Sequence, residues 1–326
     1  MRKLLGLVLI VVTVFSCDKK KGVRILPESA GPINNIAIVI DNELWENTVG
    51  ETLRNVLTTP VDGLPQEEPL FSLRQIPSQV FTGFAKENRN VLKIEQGEAD
   101  FKIARDVHAR PQKVILVRGK DIAEIKSQIE ANTDKIISGF KAEDIREKQR
   151  QSRKSLYNAS KIEEGLNINI EFPTTYRITN TIAEEKDKFY WIKKDIPTGY
   201  TNILLYELPI TAINKNDSLV SQIIKVRDSI GKKYIGGPTD GSYMATDKAY
   251  APHLYEIILD NKPTIEVKGI WDVNGAFMSG PFITYFIEDK INKRFIVAEG
   301  FAYAPNVSKR NHVFELESII KSIKLN

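Results

Sequence analysis

The sequence predicts an α+β fold in two domains. Three observations carry this. The chain beyond its first residues is too long for one typical domain. A strongly charged helical stretch divides it near the middle. The last third reads as a meander of strands closed by an amphipathic helix, the order of an α+β layer.

The elements follow in order. Asn35–Asp41 is a short apolar run between polar turn formers, hence a strand. Glu43–Leu57 places Leu44, Val49, Leu53, Val56 and Leu57 loosely on one helical face, and the run Thr59-Pro60-Val61-Asp62-Gly63-Leu64-Pro65 breaks it. Strands are expected at Phe71–Ile76, Val91–Glu95, Phe101–Val107 and Lys113–Val117. Asp121 followed by Glu124 is a capping-box pattern, and Ile122, Ile125, Ile129, Ile136, Ile137 and Phe140 continue one apolar helical face. From Ala142 to about Glu164 a helix rich in Arg and Lys is expected to bridge domains or lie on a surface.

The second half changes character. Leu166, Ile168, Ile170 and Phe172 alternate with polar residues at strand period. Phe189–Ile192 and Asn202–Leu208 read as further strands, and Val220–Ile230 as a helix. A loop-rich section spans Gly236–Pro252, then strands at Thr264–Val273, Phe282–Glu288 and Arg294–Ala304 form the meander. Val313, Leu316, Ile319, Ile320 and Ile323 give the closing helix, Lys309–Lys324, a core-facing stripe. The expected division is residues 34–141 as an N-terminal α+β domain, 142–165 as a charged helical connector, and 166–326 as a C-terminal antiparallel sheet backed by the terminal helix.

Residues 1–33 carry a different message. Arg2 and Lys3 precede the apolar run Leu4–Phe15, and Ser16 leads into Cys17, the single cysteine of the 326-residue chain. The run is shorter than the roughly 20 residues that span a bilayer. A basic start, a short apolar stretch and a small residue at the cut describe a signal peptide over residues 1–16. The sequence resembles the lipobox of bacterial lipoproteins, and the resemblance implies that Cys17 is acylated (a palmitate-bearing lipoprotein) and becomes the first mature residue. Residues 17–33, with Lys19–Lys21, Pro27 and Pro32, then read as a lipidated tether reaching at most about 55 Å. The expected location is the cell envelope, on the periplasm-facing side of the outer membrane.

Composition narrows the function classes. The formal charge of +4 becomes +2 once Arg2 and Lys3 are subtracted, a balance that argues against a nucleic-acid partner. His108, His253 and His312 are scattered, so no metal or other cofactor is expected. No Gly-x-Ser-x-Gly and no phosphate loop occurs; Gly236–Gly241 reads as a turn cluster with Ser242 beside it.

Two constellations remain. The acidic one centres on Glu299, set among Phe295, Val297, Phe301 and Tyr303 at strand period, with Glu266 and Asp272 as partners on a second strand. A carboxylate among aromatics can act as a general acid, or it is paired to a base, Lys268 or Arg227. The apolar one joins Tyr243-Met244 and Phe277-Met278, each in a Gly/Pro-containing loop, with Trp271 nearby. Such residues form an adaptable binding surface, or fold back into the core.

Several segments carry a resemblance to a known family: Ile40–Trp45, Pro60–Phe71, Trp191–Asp195, Arg227-Asp228-Ser229, Gly237–Met244, Met278–Phe282 and Glu299–Pro305. From Asn35 onward the chain resembles an uncharacterised family of Bacteroidetes lipoproteins, a domain of unknown function (DUF4837). More weakly, the second half resembles the Mog1/PsbP-like layout, which implies binding or assembly roles. The expected function is a membrane-anchored, non-catalytic binding or assembly factor for an envelope protein, cell-wall or lipid component. The alternative is an envelope hydrolase using the acidic pair around Glu299.

Overall fold

The structure is a computed structural model that describes residues 25–180, 184, 186–216 and 218–326. Residues 1–16, expected as a signal peptide, and Cys17 lie outside the described residues. The segment expected as tether is already part of the fold at Pro27. Arg110 N donates to the Pro27 carbonyl (2.8 Å), and Ser29 N donates to the Arg110 carbonyl (3.1 Å).

The N-terminal half contains β1 (Asn35–Val39), α1 (Asn42–Glu46), α2 (Thr48–Leu57), β2 (Ser72–Ile76), β3 (Asn90–Gln96), β4 (Asp100–Arg105), β5 (Lys113–Gly119), α3 (Ile122–Ala131) and α4 (Thr133–Ser152). Its five strands run in the order β2-β1-β3-β5-β4, parallel except for the β4–β5 pair at one edge. Helices α2, α3 and α4 cover one face with Leu53, Ile125, Ile129, Ile136 and Phe140. The N-cap half of the expected capping box forms, Asp121 Oδ1 accepting from Glu124 N at 2.9 Å, while the Glu124 carboxylate accepts from Lys120 N (2.6 Å), one residue before the cap. The helix expected over Glu43–Leu57 is instead two, because Asn47 caps a new start at Val49 N (2.9 Å).

The charged connector also differs from expectation. Helix α4 continues unbroken to Ser152 and buries Glu143, Asp144 and Glu147. Asp144 pairs with the buried Arg89 at 2.9 Å, and Glu147 with Arg150 at 2.7 Å. A single sequence shows charge, and only the fold shows that the acids point inward.

The C-terminal half contains α5 (Ser160–Leu166), β6 (Ile168–Asn169), β7 (Arg177–Ile178), β8 (Tyr190–Ile196), β9 (Gly199–Pro209), α6 (Leu219–Tyr234), β10 (Tyr243–Thr246), β11 (His253–Leu259), β12 (Lys262–Asn274), β13 (Ala276–Asp289), β14 (Arg294–Tyr303), α7 (Arg310–Ile320) and β15 (Lys324–Leu325). Eight of the strands form an antiparallel sheet, β10-β12-β13-β14-β9-β8-β7, with β11 also pairing β12. The alternation from Leu166 to Phe172 is kept as burial, but only Ile168–Asn169 is strand, paired with β15.

Both faces of the sheet are covered. Helix α7 sets Leu316, Ile319 and Ile320 against Ile203, Leu205, Ile283, Tyr285 and Ala298. The other face carries Leu204, Val267, Trp271, Phe282, Phe286, Val297 and Phe301, packed with Ile223 of α6. Gly300 lets α7 lie close, since a Cβ there would fall 2.9 Å from Leu316 Cβ.

Helix α7 also joins the two halves. The Pro60–Phe71 segment, legible in sequence only as a helix breaker, reaches across to it. Glu68 accepts from Lys309 N (2.6 Å) and Arg310 N (3.0 Å), placing a carboxylate at the positive end of the helix. Arg310 returns a bond to the Pro69 carbonyl at 2.7 Å. Gly63 has φ 76°, and a Cβ there would fall 2.7 Å from Gly269 N, so this loop lies directly on β12. Helix α4 adds Gln149 Nε2 to the Ser318 carbonyl (3.0 Å) and Lys148 to Glu315 (3.2 Å). Burial alone would raise the Glu317 carboxyl, but Lys141, Lys321 and Lys268 outweigh it and hold it at about 2, below its ordinary 4.5.

Two outcomes are expected. Glu68→Ala should cost about 1–2 kcal/mol in urea unfolding and speed hydrogen exchange at the Lys309 and Arg310 amides. Because the Glu317 pKa is depressed on folding, its contribution is complete above about 4.5 and is lost as pH falls toward about 2. The urea midpoint of the native chain should therefore fall more steeply over that window than that of Glu317→Gln.

Candidate functional site

The β12–β13 hairpin ends in a distorted tip. Register shifts between Asp272 and Val273, so that Val273 opposes Ala276, and Gly275 turns the chain at φ 93°. The residues expected as a Gly/Pro loop around Phe277 are therefore mostly strand. Phe277 projects wholly into solvent, while Met278 is half-buried.

The second aromatic–methionine pair meets the opposite fate. Tyr243-Met244 begins β10 and pairs with Val273 and Asn274. Met244 is buried and Tyr243 half-buried. Helix α6 enforces this, because Gly231 abuts the Met244 carbonyl so closely that a Cβ would fall 2.0 Å from it. Asp228 fixes the next turn by accepting from Thr246 N (2.7 Å) and Thr246 Oγ1 (2.8 Å). Ser242 closes the glycine-rich loop: its hydroxyl donates to the Thr239 carbonyl (2.5 Å) and accepts from Thr239 N (3.1 Å), a turn-forming role.

Trp271 is buried at the base of the hairpin, edge-on to Phe301 (5.8 Å between centroids) and tilted against Tyr303 (6.3 Å). Gly280 lies opposite it across the strands, and a Cβ there would crowd the Ala302 carbonyl at 2.1 Å and the indole Nε1 at 3.0 Å. That indole N–H has no hydrogen-bond partner among the described residues. Met244, Trp271, Val273, Met278, Phe301 and Tyr200 line a cavity of about 290 Å³. Met278 also lines a wider hollow of about 630 Å³, with Asp272, Phe277, Tyr303, Lys309 and Gln66 of the bridging segment. Of the five apolar candidates, the structure thus brings Met244, Trp271 and Met278 to one cavity. Phe277 instead lines the wider hollow that Met278 shares, and Tyr243 lies next to Met244 at the start of β10.

The acidic constellation is not assembled. Glu299 is 1% exposed and pairs with Arg227 at 2.8 Å, with Thr284 Oγ1 donating at 3.1 Å. Arg227 also bonds Thr246 Oγ1 (3.0 Å) and covers the Phe282 ring at 3.8 Å. Glu299 opposes Thr284 on one face of the sheet, whereas Glu266 opposes Tyr285 on the other. Glu266 is held there by Tyr285 Oη (2.7 Å) and Lys268 (2.8 Å). Asp272, at even spacing from Glu266, faces the same way. Burial, with Asp247 and Asp228 adding to it, raises its carboxyl above the ordinary value. The proposed acid pair around Glu299 therefore fails on geometry: the sheet itself separates its members. Of the two bases named as alternatives, Arg227 is the partner. Among the described residues, no three His, Cys, Asp or Glu side chains converge on a metal-sized site.

This half of the chain, residues 155–322, matches the family model described as a domain of unknown function, DUF4837. The chain belongs to that family. Residues 29–153 match a second model, DUF8532, also a domain of unknown function. The resemblance expected from Asn35 onward thus resolves into two models that meet near residue 154. No curated protein matches the chain. Among solved structures, it is similar to LpqN of Mycobacterium tuberculosis, described as involved in cell envelope biogenesis, with 12% identity over 48% of this chain and 82% of that one and a TM-score of 0.28. It is also similar to a protein of unknown function from Pseudomonas aeruginosa described as a putative regulator, with 10% identity over 52% of this chain and 94% of that one and a TM-score of 0.25.

Removing one member of a buried ion pair leaves the other charge uncompensated. Glu299→Ala should therefore cost about 3–5 kcal/mol in denaturant unfolding.

Proposed function

We propose that this DUF4837 protein is a lipid-anchored envelope lipoprotein, held at the periplasmic side of the outer membrane through Cys17, that works as a non-catalytic binding or assembly factor. Its partner, an envelope protein or a cell-wall or lipid component, is engaged at the hairpin tip. The observation that carries the site is the pairing of a wholly exposed Phe277 with a neighbouring apolar cavity built by Trp271, Met244 and Met278. An aromatic ring in water beside an adaptable methionine-lined hollow supplies contact area with little loss of freedom on binding. The setting of Cys17, after Arg2, Lys3 and the Leu4–Phe15 run, supports the anchor. Among the described residues no helix is long and apolar enough to cross a membrane.

Two experiments test this. Cys17→Ala should move the protein from the membrane to the soluble fraction; a variant that stays in the membrane refutes the anchor. A photo-crosslinking residue replacing Phe277 in intact cells should give a discrete adduct, and Met278→Asp should reduce it at least several-fold. An adduct pattern unchanged by Met278→Asp, or no adduct, argues that the hairpin tip is not the binding surface.

A further inference from the structure

The end of the N-terminal domain where the chain enters carries four arginines on an acidic underlayer. Glu143 on α4 is fully buried, and Arg146 (2.8 Å), Lys113 (3.7 Å) and Arg105 (3.9 Å) converge on it from above. One turn on, Glu147 is 5% exposed and holds Arg150 at 2.7 Å. Arg150 also reaches Glu28 at 3.3 Å, and the backbone beside Glu28 bridges to Arg110. The outer layer is thus arginine: Arg105, Arg110, Arg146 and Arg150 are 56, 78, 40 and 36% exposed, while the carboxylates that fix Arg105, Arg146 and Arg150 lie beneath. The exposed acids paired with this ridge are Glu28 and Asp106.

The position of this ridge is tied to the anchor. Among the described residues, the first backbone bond that holds the entering chain is Arg110 N to the Pro27 carbonyl. Cys17 lies ten residues before Pro27, so it can stand no farther than about 33–36 Å from the point where the chain meets Arg110. Between them the sequence adds Lys19, Lys20, Lys21 and Arg24 against Asp18, and Ile25 stands exposed at the start of the described chain.

We infer that the ridge of Arg105, Arg110, Arg146 and Arg150 docks on an anionic phospholipid surface, turning the N-terminal domain toward the membrane that Cys17 inserts into. The inference rests on the anchor proposed above. A guanidinium held from below by a buried carboxylate keeps its outward donors for phosphate oxygens. Basic residues at an anionic surface each contribute to binding, and the effect is confined to a Debye length. The tether is short enough to let the ridge come within that range, and it leaves the C-terminal domain, with its hairpin tip, as the remaining part to meet a partner.

The test uses the lipidated full-length protein carrying Ala142→Cys on the exposed side of α4, one turn before Arg146, labelled with a fluorophore. It is reconstituted on vesicles that contain a quencher in the bilayer, either neutral or with about a third phosphatidylglycerol. Docking requires several-fold stronger quenching on the anionic vesicles, lost in about 1 M salt and lost in Arg105→Gln/Arg110→Gln. That pair leaves Glu143 and Glu147 their Arg146, Lys113 and Arg150 partners, so the fold is preserved. Equal quenching on both vesicles by protein that floats with them overturns the docking and leaves the anchor standing. Protein that floats with neither refutes the anchor and the docking together.

Discussion

The fold depends on how helix α7 is held. A helix leaves its first amides without intrahelical partners, and here two at the start, those of Lys309 and Arg310, are satisfied by Glu68, 241 positions before Lys309 in the chain. The same helix places Glu317 among Lys141 of the first half and Lys268 and Lys321 of the second. Neither arrangement is complete within one half. A carboxylate as buried as Glu317 is costly unless it is surrounded by opposite charge, so separating the halves would expose an incomplete charge cluster and uncap a helix at once.

From that constraint the candidate site follows. With α7 fixed against one face through Gly300, the sheet presents its other face to α6, and Gly231 brings α6 down onto β10. The Arg227–Glu299 pair and the Asp228–Thr246 bonds then fix α6 against β14 and β10, and β10 pairs along β12. Met244, Trp271 and Val273 become walls of a cavity rather than a mobile loop. The hairpin tip beyond the bulge escapes this packing, and it is there that Phe277 enters solvent.

Much of the fold could be read from the chain because it is locally encoded. The Asp121–Glu124 cap needs residues three apart, the α7 stripe needs spacing of three and four, and the Leu166–Phe172 alternation survives as burial even where pairing is absent. Contacts distant in sequence were hidden. The Pro60–Phe71 segment reads as a turn, and nothing local says that Glu68 caps a helix near the other end of the chain. Strand β11 was missed because it is an outlying strand with exposed Tyr255 and Ile258 and lacks a buried alternation. The two aromatic–methionine pairs look alike in sequence, and their methionines reach one cavity, yet their surroundings differ: Met244 is buried in the sheet and Phe277 is wholly exposed. Pairing of Met244 inside the sheet and projection of Phe277 beyond the bulge are tertiary decisions. The acidic trio failed for a simpler reason: strand parity was legible within each strand, but the register that sets Glu266 and Glu299 on opposite faces was not.

The most direct test of the central claim is native-state hydrogen exchange in rising urea, comparing the slowest amides of β3 with those of β13. If α7 binds the halves into one cooperative unit, both sets open with the same free energy and the same urea dependence. If β3 and β13 open with distinct free energies and distinct urea slopes, the halves unfold independently, and α7 does not play the joining role assigned to it.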